Sequence, residues 1–187
     1  MFKAIVLTLG VMVSTTAAQA TVIDFGTHPG NYNPYIEDGF SFDHVSLDNS
    51  NGNCPFSDPA CLKLNSGNGG GFSQTIMTRL GGGVFDLTGF SFEFSGNARV
   101  NTLIVSALGY GNLTLTVGVG GILKNTSYSL MNLLFADVAA VTFSSTSGGT
   151  VRIDNIVATA AVPVPAAGFL LLAGLGGLAA LRRRKLA

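Results

Sequence analysis

The six residues Phe90-Ser91-Phe92-Glu93-Phe94-Ser95 leave the chain little conformational choice. Side chains alternate faces along a strand, so three phenylalanines at every second position make one continuous apolar face only in extended backbone. The polar partners, Glu93 among them, are then expected to face solvent. The same period recurs at Phe40-Ser41-Phe42-Asp43 and across Asn112–Val119, where Leu113, Leu115, Val117 and Val119 alternate with Thr114 and Thr116. Further strands are predicted at Val22–Phe25, Phe72–Thr78, Val100–Leu108, Val138–Phe143 and Thr150–Thr159, and Tyr128–Leu134 suits either strand or helix. Glycine-rich turns separate these runs, and no helical period sustains itself between residues 20 and 166. Many short strands with glycine turns predict an all-β fold over residues 21–161, an antiparallel two-sheet sandwich of jelly-roll type. First and last strands often lie near each other in such a fold.

Two local features refine this. Val151 and Ile153 share a parity that Ile156 breaks, so a β-bulge is expected at Asp154-Asn155. Cys54 and Cys61 are the only cysteines, set in a loop with Pro55 and Pro59. In an exported chain such a pair reads as a disulfide. A metal pair would need further ligands, and neither His28 nor His44 has an obvious partner.

The two ends are of another kind. Lys3, the apolar run Ile5–Val13 and the small residues Ala18 and Ala20 around Gln19 make a secretory signal over residues 1–20, cleaved after Ala20. Residues 162–187 begin with a proline-spaced lead-in and continue as an uncharged run, Ala166–Leu181, predicted to be a transmembrane helix. Its 16 residues would span roughly 24 Å as a helix, a short crossing of the hydrocarbon core. The basic stop Arg182, Arg183, Arg184 and Lys185 should stay cytoplasmic, which puts the body outside. That body holds five basic and ten acidic residues although the whole chain is neutral. It has no basic footprint for a nucleic acid.

Catalytic signatures are not found. There is no G-x-S-x-G elbow, no glycine run followed by Lys-Ser or Lys-Thr, and no distinguished pair of carboxylates among two glutamates and eight aspartates. The chain is expected not to be an enzyme and to need no cofactor. Asp48-Asn49-Ser50-Asn51-Gly52-Asn53 has the composition of a cation loop, but Gly52 falls at position 5 instead of 6, and position 12 is Pro59 where a glutamate is needed, which leaves a polar turn beside the cysteines.

The lead-in Val162-Pro163-Val164-Pro165-Ala166, the Gly/Leu/Ala run and the Arg-Arg-Arg-Lys end resemble the PEP-CTERM family of bacterial sorting signals. The match is nearest to the variant whose lead-in reads VPLPA, with Val164 in place of its leucine. Tyr35-Ile36-Glu37-Asp38-Gly39-Phe40 and Ile153-Asp154-Asn155-Ile156 resemble that family's ectodomains more loosely. The resemblance implies export by signal peptidase, transient anchoring in the inner membrane, and recognition and cleavage of the tail by an exosortase. It implies a cell-surface or extracellular protein that accompanies exopolysaccharide and biofilm. The body would then be an adhesive or matrix component touching polysaccharide, or else a permanently anchored carbohydrate-binding module. Tyr32, Tyr35 and Tyr110 are the candidate sugar-stacking aromatics, since there is no Trp. Jelly-roll carbohydrate-binding modules often hold a structural calcium between first and last strands. A body closed that way would let Asp154 share a calcium ion with Glu37 or Asp38.

Overall fold

The computed structural model describes residues 19–26, 30–48, 54–65, 72–95, 101–146 and 149–160. The signal-peptide residues up to Ala18, and the lead-in, apolar run and basic stop of the tail, lie outside them. Among the described residues no helix is long and apolar enough to cross a membrane.

The strands are β1 (Ala20–Ile23), β2 (Gly30–Tyr32), β3 (Tyr35–Glu37), β4 (Phe40–Asp43), β5 (Val45–Asp48), β6 (Cys61–Asn65), β7 (Gln74–Arg79), β8 (Phe85–Ser95), β9 (Thr102–Ala107), β10 (Leu113–Thr116), β11 (Ser127–Val138), β12 (Ala140–Ser145) and β13 (Thr150–Ala160). They form two antiparallel sheets. One runs β11-β8-β13-β6-β5-β2, with β1 also on β13; the other runs β10-β9-β12-β7-β4-β3. The predicted two-sheet sandwich is the fold observed, and its first and last strands are hydrogen-bonded neighbours.

The core lies between the sheets and is built largely of phenylalanine. Phe90 meets Phe143 edge-on at 5.6 Å and Phe40 meets Phe85 at 5.2 Å, each pair joining one sheet to the other. Such edge-to-face pairs each add about 0.5–1.5 kcal/mol beyond their buried area. Inward positions on β8 are Phe85 and Leu87, then Phe90, Phe92 and Phe94, so this strand changes parity at Gly89. Its neighbours change at the same level. On β13 the register slips between Asp154 and Val157, where Asn155 has φ 49°, as the sequence led us to expect. On β11 it slips between Met131 and Phe135. The result is one line of bulges across three strands, which bends the sheet while keeping apolar side chains inward on both sides of the bend.

Gly89 is needed on that line. A Cβ there would sit 2.5 Å from the Leu130 carbonyl oxygen and 2.6 Å from Met131 sulfur, too close for any real carbon. Gly89→Ala should therefore lower unfolding free energy by about 1–3 kcal/mol. Chemical denaturation monitored by far-ultraviolet circular dichroism would check this, and an unchanged midpoint would contradict it.

Several expectations change. The ambiguous Tyr128–Leu134 lies inside the long strand β11, with Tyr128 stacked on Phe92 at 5.5 Å. The run Asn112–Val119 is strand only to Thr116; Val119 is in a turn and exposed. Strands β2, β3, β5 and β6 are too short or too close to loops to announce themselves. Glu93 does point away from the phenylalanines, yet it is only 7% exposed. The reason is the disulfide loop: the turn Pro55–Ser57 lies over the outer face of β8, β11 and β13. Its Phe56 N–H donates to Ser127 Oγ, and Ser127 Oγ donates to Glu93 Oε2.

Candidate functional site

β13 is too long for any one partner on its outer side. β6 covers its first half, from Thr150 to Ile153, and β1 covers Ile156 to Thr159. Between them lie Asp154 and Asn155, paired to neither. Three segments meet at this seam: the exit of β1 (Asp24, Phe25, Gly26), the approach to β6 (Asp58, Pro59), and the bulge itself. They enclose a pocket of about 90 Å³ lined by Asp24, Gly26, Asp58, Pro59 and Asn155.

Carboxylates dominate it. Asp154 is fully buried; one oxygen accepts the Asn155 N–H at 2.8 Å, while Oδ2 has no hydrogen-bond partner among the described residues. Burial pushes the Asp154 carboxyl up to about 8; the Asn155 N–H draws it back, and Asp58 and Asp24 push it further. Asp58 lies near enough to raise the Asp154 carboxyl, and it accepts from Asn155 Nδ2 at 2.8 Å. Asp24 accepts the Gly26 N–H at 3.0 Å. On its other side Asp24 approaches Glu37, whose Oε2 accepts the Tyr35 hydroxyl at 2.9 Å and the Phe25 N–H at 3.1 Å. Burial raises the Glu37 carboxyl, the Tyr35 hydroxyl opposes this, and Asp24 adds to it. Tyr35 in turn is held well above the usual phenol range by burial and by Glu37. Phe25, buried at φ 55°, takes the left-handed conformation that apolar residues avoid.

The three residues expected to share an ion are thus distributed unequally. Asp154 is at the centre and Glu37 at the rim. Asp38, at φ 47° in the β3–β4 turn, is exposed and accepts from Thr21 Oγ1 at 3.0 Å. Asp24 and Asp58 escaped the sequence reading. One faint signal existed: Ile23-Asp24 repeats Ile153-Asp154, an aspartate directly after an apolar strand position. Asp58 has no such mark; only the loop's folding brings it in. Among the described residues no group of three or more His, Cys, Asp or Glu side chains is placed so that it could hold a metal ion.

Cys54 and Cys61 are bridged, with Cα atoms 5.6 Å apart. The loop they close shields a second charged group. Arg152 donates from Nε and Nη2 to Asp48 Oδ2 at 3.1 and 2.9 Å, and from Nη1 to Ser95 Oγ. Asp48, the first residue of the apparent cation loop, is therefore half of an ion pair, and residues 49–53 lie outside the described ones. The tyrosines do not form a platform. Tyr35 packs on Phe25, and Tyr32 packs edge-on against Tyr35. Tyr110 packs on Phe135 and both donates to the Ala136 carbonyl and accepts the Ala136 N–H. It does line an open cleft of about 370 Å³ with Leu113, Leu134 and Phe135.

Comparison with known proteins gives only distant likenesses. No family model matches the chain and no curated protein matches it. Among solved structures, the K1 cleaved adhesin domain of Lys-gingipain from Porphyromonas gingivalis W83 aligns with 77% of this chain and 99% of its own, at 16% identity and a TM-score of 0.47. The K3 adhesin domain of the same protein aligns with 77% of this chain and 100% of its own, at 17% identity and 0.42. A family 29 carbohydrate-binding module aligns with 77% of this chain and 90% of its own, at 15% and 0.42. Likeness this distant carries no inference about ligands or partners.

Proposed function

We propose that this chain is an exported bacterial surface protein whose C-terminal segment, residues 162–187, is a sorting signal read and cut by an exosortase. Its body is a structural or adhesive component of the extracellular matrix, with no chemistry of its own. The observation that carries the export half of this reading is the Cys54–Cys61 bridge. It covers a buried charge network, and structural bridges of this kind are characteristic of oxidising compartments. The sorting half rests on the resemblance of Val162–Ala166 and Arg182–Lys185 to the PEP-CTERM signal. Tyr32 and Tyr35 pack against each other and make no flat sugar-stacking platform, which favours a scaffold, although Tyr110 lines an open cleft.

Signal cleavage after Ala20 fits the strand that follows. A mature chain beginning at Thr21 keeps three of the four register pairs of β1, namely Thr21↔Ala158, Val22↔Val157 and Ile23↔Ile156. The intact mass of the protein recovered from its native host tests both ends. The expected species begins at Thr21 and lacks Arg182–Lys185. A mature protein that retains the basic end would instead identify a permanently anchored module. One that retains Met1 and free thiols would refute export altogether.

A further inference from the structure

The two sheets end differently on their two flanks. On one flank the last strands, β2 and β3, are three residues each and are joined through Pro34, so they offer little free backbone edge. On the other flank the last strands are β10 and β11, and β11 runs for 12 residues. Each of these is paired on one side only among the described residues. Natural proteins commonly guard such an edge with lysine, proline or an inward charge. Apart from the slips in β11, that guard is missing: Lys124 is the one charged residue between Arg99 and Asp137, and no proline lies in that stretch.

The same flank carries a knob and a hole. The β9–β10 turn is closed by the Tyr110 N–H on the Ala107 carbonyl at 3.1 Å, with Gly109 at φ 88°. Leu108 therefore stands at the corner of a fixed turn, 97% exposed, where a polar residue would cost nothing. The turn is tied down in its turn, because the Tyr110 hydroxyl bonds both backbone groups of Ala136 on β11. Beside it the open cleft of about 370 Å³ is walled by Leu113, Leu134, Phe135 and Tyr110. Val119 and Leu123, on the β10–β11 connection, and Met131, on β11, are exposed as well.

We infer that two copies of this chain associate through the β10/β11 flank, each seating its Leu108 in the cleft of the other. A knob and a hole on one flank are self-complementary about a two-fold axis, so the contact closes as a dimer. The area suffices. The 12 residues of β11 extend roughly 40 Å, and two sheets with an edge strand on each make a flank about 20 Å across. That offers about 800 Å² per copy, the area a stable interface needs. Charge points the same way. The body holds twice as many acids as bases, yet no acid lies between Glu93 and Asp137. On this flank two copies meet without like-charge repulsion. A lipid surface would call for several basic residues or tryptophan, and a glycan for more hydrogen-bonding side chains than Asn112 supplies. The association goes beyond the sorting reading and holds whether or not the tail is cut.

The test uses the full-length chain, purified in detergent. Sedimentation equilibrium over a concentration series should give a dimer with a Kd of about 10 µM or tighter. Leu108→Glu, which brings a carboxylate to an apolar cleft, should weaken the dimer about tenfold or more, and Leu108→Ala by less. Ile36→Glu, an exposed position on the opposite flank, should dimerise as the parent does. Amide hydrogen exchange in β10 and β11 should slow as the parent is concentrated, and should not slow in Leu108→Glu. A parent that stays monomeric at about ten times that Kd overturns the inference. So does a dimer that Leu108→Glu leaves intact, which would place the contact in the tail or elsewhere. Slower exchange in β10 and β11 of a monomeric parent on adding detergent or cellohexaose would make the occupant a lipid or a glycan, and would equally overturn it.

Discussion

Arg152→Ala is expected to destabilise the domain by about 3–5 kcal/mol, the usual result of removing one partner from a buried ion pair. Arg152 is 8% exposed and bonds Asp48 twice and Ser95 once, beneath the disulfide loop. Truncation leaves the Asp48 carboxylate without those donors and leaves Glu93, 7% exposed, without the favourable charge of Arg152. The loss should depend on pH. Burial already raises the Glu93 carboxyl, while Ser127 and Arg152 hold it down. Without Arg152 it rises further, so the ionised form costs more at neutral pH. A raised carboxyl adds stability below its unfolded pKa and loses that contribution as pH climbs through the folded value. The gap between parent and variant should therefore be widest near pH 7–8 and narrow as Glu93 takes up its proton on acidification. Urea unfolding at several pH values measures it. A pH-independent gap would mean that Arg152 acts through packing of its stem instead. Arg152→Met, which keeps that stem, should recover part of any loss of the latter kind.

Phe90→Ala should cost a similar amount, about 3–5 kcal/mol, for a different reason. Phe90 is fully buried, edge-on to Phe143 across the sandwich and 6.0 Å from Phe92 along its own strand. It is also the first inward residue after the Gly89 parity change. Truncation empties the middle of the core, where collapse from both sheets is blocked by the bulge line. Phe90→Leu, which refills most of the volume, should lose less than half as much. Equilibrium unfolding of the two variants decides the matter: equal losses would show that the bend, and not the ring, is what matters there.

The strands with regular alternation were legible because their two faces meet different solvents. Phe90, Phe92 and Phe94 could only be one inward face, and the slip from Ile153 to Ile156 could only be a bulge. The cysteine pair was legible for a similar local reason, seven residues apart in a proline-turned loop. Strands β2 and β3 were not, because three residues with half-exposed side chains carry no period. β11 read ambiguously because its own double slip scrambles the alternation between Leu130 and Val138.

The acidic seam divides in the same way. Sequence singled out Asp154 from its broken parity and Glu37 from its position before an early strand. It had no means of choosing Asp24 and Asp58, which lie 130 and 96 residues from Asp154.

Sequence alone therefore determined the class of fold, the bulge on the last strand and the disulfide, since each follows from side chains within a few residues of one another. The tertiary structure decided that the stapled loop covers Glu93 and Arg152, that β1 and β6 share one edge of β13, and that three aspartates meet in the gap between them. Those facts follow from strand order, which arises when apolar faces are buried together. The charged residues carried on the opposite faces leave no trace of that order in the local pattern.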